Sequence, residues 1–345
     1  MRKEAQTRQN VTLAGVQGYH SGGNLNPESY AFAGFDGNWY FNSDRAIALD
    51  SNYNRVDGQP LQGYGLEIET ESHNGIENDR VLAEVITKII FPSFKFGKKM
   101  FKLQRDGSLG GQASCEIITQ VMTKGRIRND YAAYKTMYDT YFPCFGLTAD
   151  SRQTNCGMHV NVSRACFGKT KEAQDEAIRK LYYVVNRYHR LFAKAFYRNP
   201  DNTYWCEQMT KRHLEYEEGS ETMAERFAWQ NAKNINFGWN RFPSSHRNCI
   251  NLSHYDAGRI EIRLVGGQGS YVNFRNTMEV VFHVVETIGK RSWDDLDDLA
   301  KIFKGCNQYV TKRLADCVGL DGFTMAQFNR ILDSVKSEDL ELRNV

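Results

Sequence analysis

The stretch Tyr64-Gly65-Leu66-Glu67-Ile68-Glu69-Thr70 carries the clearest chemistry in the chain. As a β-strand it turns Leu66, Ile68 and Thr70 to one face and Glu67 and Glu69 to the other. Two carboxylates two residues apart on one strand face lie roughly 7 Å apart. Like charges so placed disfavour each other's ionised forms, and a divalent cation beside them removes the conflict. Hard oxygen ligands suit Mg²⁺ or Mn²⁺. A lone Glu-x-Glu is far more often a solvated strand face, so the reading depends on partners elsewhere.

Those partners recur on later strands. A strand ending near Gln104 runs into Arg105-Asp106-Gly107-Ser108-Leu109-Gly110-Gly111, a turn sequence, and the chain returns as Ser114–Thr119 with Glu116. In Asn155–Ser163, residues Met158, Val160 and Val162 face one way, and His159, Asn161 and Ser163 face the other. Asn248–Ser253 holds Asn251. In Arg259–Leu264, residues Ile260, Ile262 and Leu264 alternate with Arg259, Glu261 and Arg263. Strands with one apolar face collect these polar residues on the other. Concentrated carboxylates call for bound cations, and arginines on the same surface suit phosphate oxygens. Together they are the equipment of phosphoryl transfer. No Gly-x-x-x-x-Gly-Lys-Ser/Thr occurs, and no Gly-x-Gly-x-x-Gly follows a strand. Gly266-Gly267-Gln268-Gly269 is as well explained by a plain turn.

The elements that must hold these residues follow from periodicity. Residues 1–60 read as an N-terminal extension, with a hairpin over Tyr30–Ile47 turning at Asp36-Gly37. Glu77 to Ile90 has helical spacing and stops at Pro92. Asn129 to Phe142 is an aromatic helix whose Tyr131, Tyr134, Tyr138 and Tyr141 stripe reads as a packing face. Lys171 to Arg198 is the longest predicted helix, with His189 on its surface. Residues 199–245 are polar and irregular, with a helix around Glu221–Asn231, and shape the pocket through Tyr204, Trp205, Arg212 and Arg226. A helix follows over Asn276–Lys290, and residues 291–345 form a helical appendage (296–303, 310–318, 325–335). The predicted class is α+β: a mainly antiparallel sheet of about six strands with flanking helices.

Composition sets the bounds. The chain has 345 residues, 41% hydrophobic and 12% aromatic, enough for a substantial core. A net charge of +3 makes no case for nucleic acid as a partner. Eight scattered cysteines, without a Cys-x-x-Cys, argue against a zinc ribbon or a disulfide framework. With no apolar leader at the start and no long apolar run, the expectation is a cytoplasmic protein without a membrane segment. Self-association through the helical C-terminus is left open.

The Glu67-x-Glu69 strand, the Asp106-Gly-Ser-Leu…Glu116 hairpin, the Cys156-Gly-Met-His159-Val-Asn strand and Arg259-Ile-Glu261-Ile-Arg263 occur in amidoligase order. Over residues 61–290 the chain resembles the amidoligases, carboxylate–amine ligases related to glutamine synthetase and glutamate–cysteine ligase. The resemblance implies a curved, glutamine synthetase-like catalytic sheet binding ATP and Mg²⁺ or Mn²⁺. It also implies amide formation from a carboxylate substrate (an amino acid or peptide) and an amine, through an acyl phosphate. On this basis Glu67, Glu69, Glu116 and Glu261 hold metal, and His159 ligates metal or meets a phosphate. Arg263, and secondarily Arg259, stabilise the transferring phosphoryl group, and Asp106 orients substrate or deprotonates the amine. Asn161, Arg247, Asn251 and Arg198 are assigned to nucleotide or substrate. The chain departs from the pattern at Asn161, where glutamine synthetases often carry a second histidine. A phosphagen-type kinase would share the metals without an amine acceptor, and a catalytically inactive nucleotide- or metal-binding module would share them without turnover.

Overall fold

In the computed structural model of the chain, the residues described are 39–50, 54–72, 74–76, 78–106, 109–110, 112–203, 206–208, 229–235 and 248–335. They fall into two compact units, Met1–Val160 with Gly266–Phe274, and Asn161–Val265 with Arg275–Val345. The class is mixed α/β with mostly antiparallel strands. Among the described residues there are ten strands in place of the expected six or so, because short segments at 39–48, 121–122 and 147–148 also pair.

The first unit is built around β3 (Tyr64–Ser72), preceded by β1 (Trp39–Asn42) and β2 (Arg45–Ala48). It is followed by β4 (Phe101–Gln104), β5 (Ala113–Thr119), β6 (Val121–Met122), β7 (Leu147–Thr148) and the start of β8 (Met158–Ser163). The hydrogen-bonded order runs β2-β1-β6-β3-β8, with β5 and β7 also on β3 and β4 on β5. β1 and β6 are parallel, while β1–β2, β3–β5, β3–β6, β3–β7 and β4–β5 are antiparallel. An N-terminal hairpin is present, but it turns at Ser43-Asp44, where Ser43 takes φ 53°. The expected turn at Asp36-Gly37 lies outside the described residues.

The helix predicted over 77–90 starts at Asp79, because Asn78 Oδ1 accepts the N–H groups of Arg80 and Val81 and ends the extended chain. After Val85 it widens into a π turn (Ile86–Ile90) and closes in a 3₁₀ turn containing Pro92. Asp79 also reaches across to the hairpin. One carboxylate oxygen accepts Ser114 N–H at 3.0 Å and the other pairs with Arg105 at 3.0 Å, so both limbs of the β4–β5 connection are tied to this helix.

Three of the four tyrosines of the predicted stripe pack. Tyr131, Tyr134 and Tyr138 are buried, and Tyr134 stacks on Phe274 with centroids 4.2 Å apart. Tyr141 is half-buried where the helix widens into a π turn (Met137–Tyr141). Phe94 meets both Tyr134 and Phe101 edge-on, which continues the aromatic layer under β4.

The second unit contains the helix Lys171–Arg187, capped by Thr170, and the helix His189–Ala195. The single helix expected over 171–198 is thus broken at Tyr188, which leaves helical geometry (φ −107°, ψ 40°). His189 is a correction as well. It is buried, not on the surface, and its Nε2 lies 3.0 Å from the Cys206 carbonyl oxygen. Burial holds its pKa below the ordinary value, so the neutral ring serves as a structural donor. Strands β9 (Ile250–Asn251) and β10 (Arg259–Ile262) form the predicted hairpin, with Gly258 at φ 86° in its turn. Helices at Leu299–Ile302, Gln308–Ala315 and Met325–Leu332 match the expected C-terminal series.

None of the eight cysteines is in a disulfide. Among the described residues no helix is long and apolar enough to cross a membrane. Of the segment 199–245, residues Tyr204, Trp205, Arg212 and Arg226 lie outside the described residues.

Candidate metal centre

β3 is buried on both faces: Leu66, Ile68 and Thr70 are enclosed on one pleat, and on the opposite pleat Glu69 is buried as well and Glu67 half-buried. The strand also runs two residues further than predicted, which adds Glu71 to the same row; only 2% of Glu71 is exposed. The signal for it is the continued alternation Glu67-x-Glu69-x-Glu71 in the sequence. Beside it, burial pushes the Cys156 thiol up, and the Glu71 and Glu69 charges add to that shift.

Strand pairing brings the next ligand. β5 lies antiparallel to β3 with Glu116 directly opposite Glu69. Facing like charges in a sheet are destabilising, so the register imposes a conflict that something must relieve. From β8, His159 enters the same face: Nδ1 lies 3.2 Å from Glu67 Oε2 and Nε2 lies 3.7 Å from Glu69 Oε1. The N–H of Gly157 donates to Glu69 Oε2, and the Glu69 N–H donates to the Gly157 carbonyl at 3.2 Å. Glu69 is therefore held by the strand that delivers His159.

Glu69, Glu116 and His159 each offer one ligand atom, all within 4.8 Å of one another. An octahedral ion with bonds of about 2.1 Å spaces its ligands roughly 3–4 Å apart, so modest side-chain closure would complete the set. The donor chemistry, carboxylates plus one imidazole, fits a divalent ion with oxygen and nitrogen affinity. Asp106 follows β4 and lies close enough for its charge to act on Glu116.

The electrostatic state of Glu116 shows the conflict. Its pKa is pushed up to about 8, chiefly by burial and then by the Glu67 charge, with Glu69 and Asp106 adding and His159 opposing. In metal-free protein, folded Glu116 thus keeps a proton that the unfolded chain releases at ordinary carboxylate pKa. Its contribution to stability is complete at low pH and is lost as pH rises through about 8. Glu116 is partly exposed, and solvent screening limits the whole effect to roughly 1–3 kcal/mol. In EDTA, the loss of stability between pH 6 and pH 9 is expected to be smaller in Glu116→Gln than in wild type. Equal slopes in denaturant titrations of the two proteins would refute this assignment.

In the second unit, β9 and β10 set Asn251 opposite Glu261. Glu261 is 5% exposed, and its Oε1 accepts from Arg263 at 2.7 Å. Arg259 Nε donates to Asn161 Oδ1 at 3.0 Å. Arg198 donates to the carbonyls of Leu264 (3.3 Å) and Val265 (2.9 Å), contacts that tie backbone together. Arg247 lies outside the described residues. The structure therefore gathers Glu67, Glu69, Glu116 and His159 within the first unit. Within the second it gathers Glu261 with Asn251 and Arg263, and Asn161 with Arg259.

Gly266-Gly267-Gln268-Gly269 serves packing. Gly267 N–H donates to the Cys156 carbonyl and its own carbonyl accepts from Ser151, both at 3.2 Å. A Cβ at Gly267 would meet the Ala149 and Cys156 carbonyl oxygens at under 3.0 Å, and one at Gly269 would press on the Asp150 carboxylate. The helix that follows begins at Tyr271 rather than Asn276. No protein-family model and no curated protein matches the chain.

Proposed function

We propose that the protein is an ATP-dependent carboxylate–amine ligase working with Mg²⁺ or Mn²⁺. The observation that carries this reading is the convergence of Glu67, Glu69, Glu116 and His159 on one face of three paired strands, where burial and then the neighbouring Glu67 charge drive Glu116 towards neutrality. The order of motifs along the chain, which resembles the amidoligases over residues 61–290, supplies the reaction class. A divalent ion held by these side chains would supply positive charge to offset what builds on the transferring group.

The protein's own residues divide the remaining work. Glu67, Glu69, Glu116 and, from the second unit, Glu261 are the proposed metal ligands, with His159 as ligand or phosphate contact. Arg263 balances negative charge: it already pairs with Glu261, and its guanidinium suits a phosphoryl oxygen. Asp106 orients the substrate or deprotonates the amine. A substrate carboxylate attacks the γ-phosphate of ATP and releases ADP, and the amine then displaces phosphate from the acyl phosphate to leave an amide. The proposed setting is cytoplasmic, with neither nucleic acid nor membrane as a partner.

The test is incubation of the pure protein with ATP, Mg²⁺ or Mn²⁺, and pools of carboxylates and amines, followed by mass spectrometry. ADP, phosphate and an amide are the expected products. ADP with a phosphorylated product and no amide would instead identify a kinase, and failure to bind nucleotide would overturn the enzymatic reading.

A further inference from the structure

Asn251 was assigned above to nucleotide or substrate, yet its surroundings give it other work. It is fully buried, with 0% exposure. Both ends of its amide are engaged. Oδ1 accepts the Ser253 N–H at 2.9 Å, and Nδ2 donates to Glu261 Oε2 at 2.8 Å. The first contact settles which way the amide points, because a backbone N–H must meet the oxygen and not the NH₂. Nδ2 is thereby aimed at Glu261 from the facing position of the hairpin. Arg263 takes the other carboxylate oxygen, at 2.7 Å.

We infer that Asn251 is a positioning residue that orients the Glu261 carboxylate for metal binding, and that it touches neither nucleotide nor substrate. The inference rests on the proposed role of Glu261 as a metal ligand. The chemistry favours an amide here. A neutral donor fixes one oxygen of a buried carboxylate without cancelling its charge, whereas a second cation beside Arg263 would compete with the metal. Hydrogen-bond partners behind a ligand commonly contribute 10–100-fold to metal affinity.

The experiment is a double-mutant cycle on the full-length chain, with Mn²⁺ alone as probe. Affinity is read by titration calorimetry and by the free-Mn²⁺ electron paramagnetic resonance signal, and melting temperature is followed in parallel. Glu261→Gln is expected to weaken Mn²⁺ binding tenfold or more, and Asn251→Ala by about 10–100-fold. The double variant is expected to bind no more weakly than Glu261→Gln alone, since Asn251 acts only through that carboxylate. Should Asn251→Ala not fold, Asn251→Ser, which keeps a small polar side chain there, takes its place in the cycle. Wild-type affinity in the Asn251 variants alongside a weakened Glu261→Gln would overturn the positioning role, and so would additive losses. Wild-type affinity in Glu261→Gln would overturn the metal reading itself.

Discussion

Glu69→Gln is expected to lower ATP- and metal-dependent turnover by roughly 10²–10³-fold while leaving the fold intact. The substitution keeps the shape of the side chain and an oxygen that can accept the Gly157 N–H, so the contact between β3 and β8 persists. It removes the charge that a cation needs. It also removes one of the carboxylates that repel Glu116, so metal-free Glu69→Gln should melt no lower than wild type at pH 8. Loss of activity with retained or increased stability is the signature of a site whose residues conflict until a ligand arrives. ADP release and far-ultraviolet circular dichroism, measured together, decide the matter. Wild-type ADP release by Glu69→Gln and Glu67→Gln would sink the metal assignment. Glu261→Gln is expected to behave alike in turnover, because Ile260 and Ile262, its apolar neighbours on β10, are untouched.

Gly267→Ala should destabilise the protein by about 1–3 kcal/mol or somewhat more, the usual range for forcing an atom into a packed interior. The atoms in its way are two backbone carbonyl oxygens, of Ala149 and Cys156, which cannot swing aside as a side chain can. The neighbouring hydrogen bonds, Gly267 N–H to Cys156 and Ser151 N–H to Gly267, would lengthen as the strands part. Because Cys156 precedes Gly157 and β8, the displacement should also loosen the hold on Glu69, so metal affinity falls with stability. Urea unfolding of the variant gives the number; a change below about 0.5 kcal/mol would mean that the segment yields without strain.

Much of the site could be read from residue types because it obeys a local rule. A period of two assigns Leu66, Ile68 and Thr70 to one face and Glu67 and Glu69 to the other. The same rule places His159 opposite Met158, Val160 and Val162, whichever strands they pair with. The β4–β5 pairing and the Gly258 turn were likewise legible, since turn residues act over a few positions. Departures came where a distant group intervened. His189 looked solvent-facing by helical spacing until a break at Tyr188 and the Cys206 carbonyl drew it inside. The Gly266–Gly269 run has the composition of a simple turn, but Gly267 answers to two carbonyls and Gly269 to the Asp150 carboxylate, all more than a hundred residues earlier in the chain.

Local spacing thus determined which side chains share a strand face, and therefore the chemistry available: carboxylates, one imidazole and arginines. It said nothing of who faces whom. Glu116 stands opposite Glu69 because of the β3–β5 register, and His159 reaches both Glu67 and Glu69 because β8 borders β3. Register and strand order are settled by burial summed over whole strands, a quantity with no short-range signature in the chain. The β9–β10 hairpin is legible in the chain, but only its register and side-chain geometry show that Asn251 spends both ends of its amide on Ser253 and Glu261.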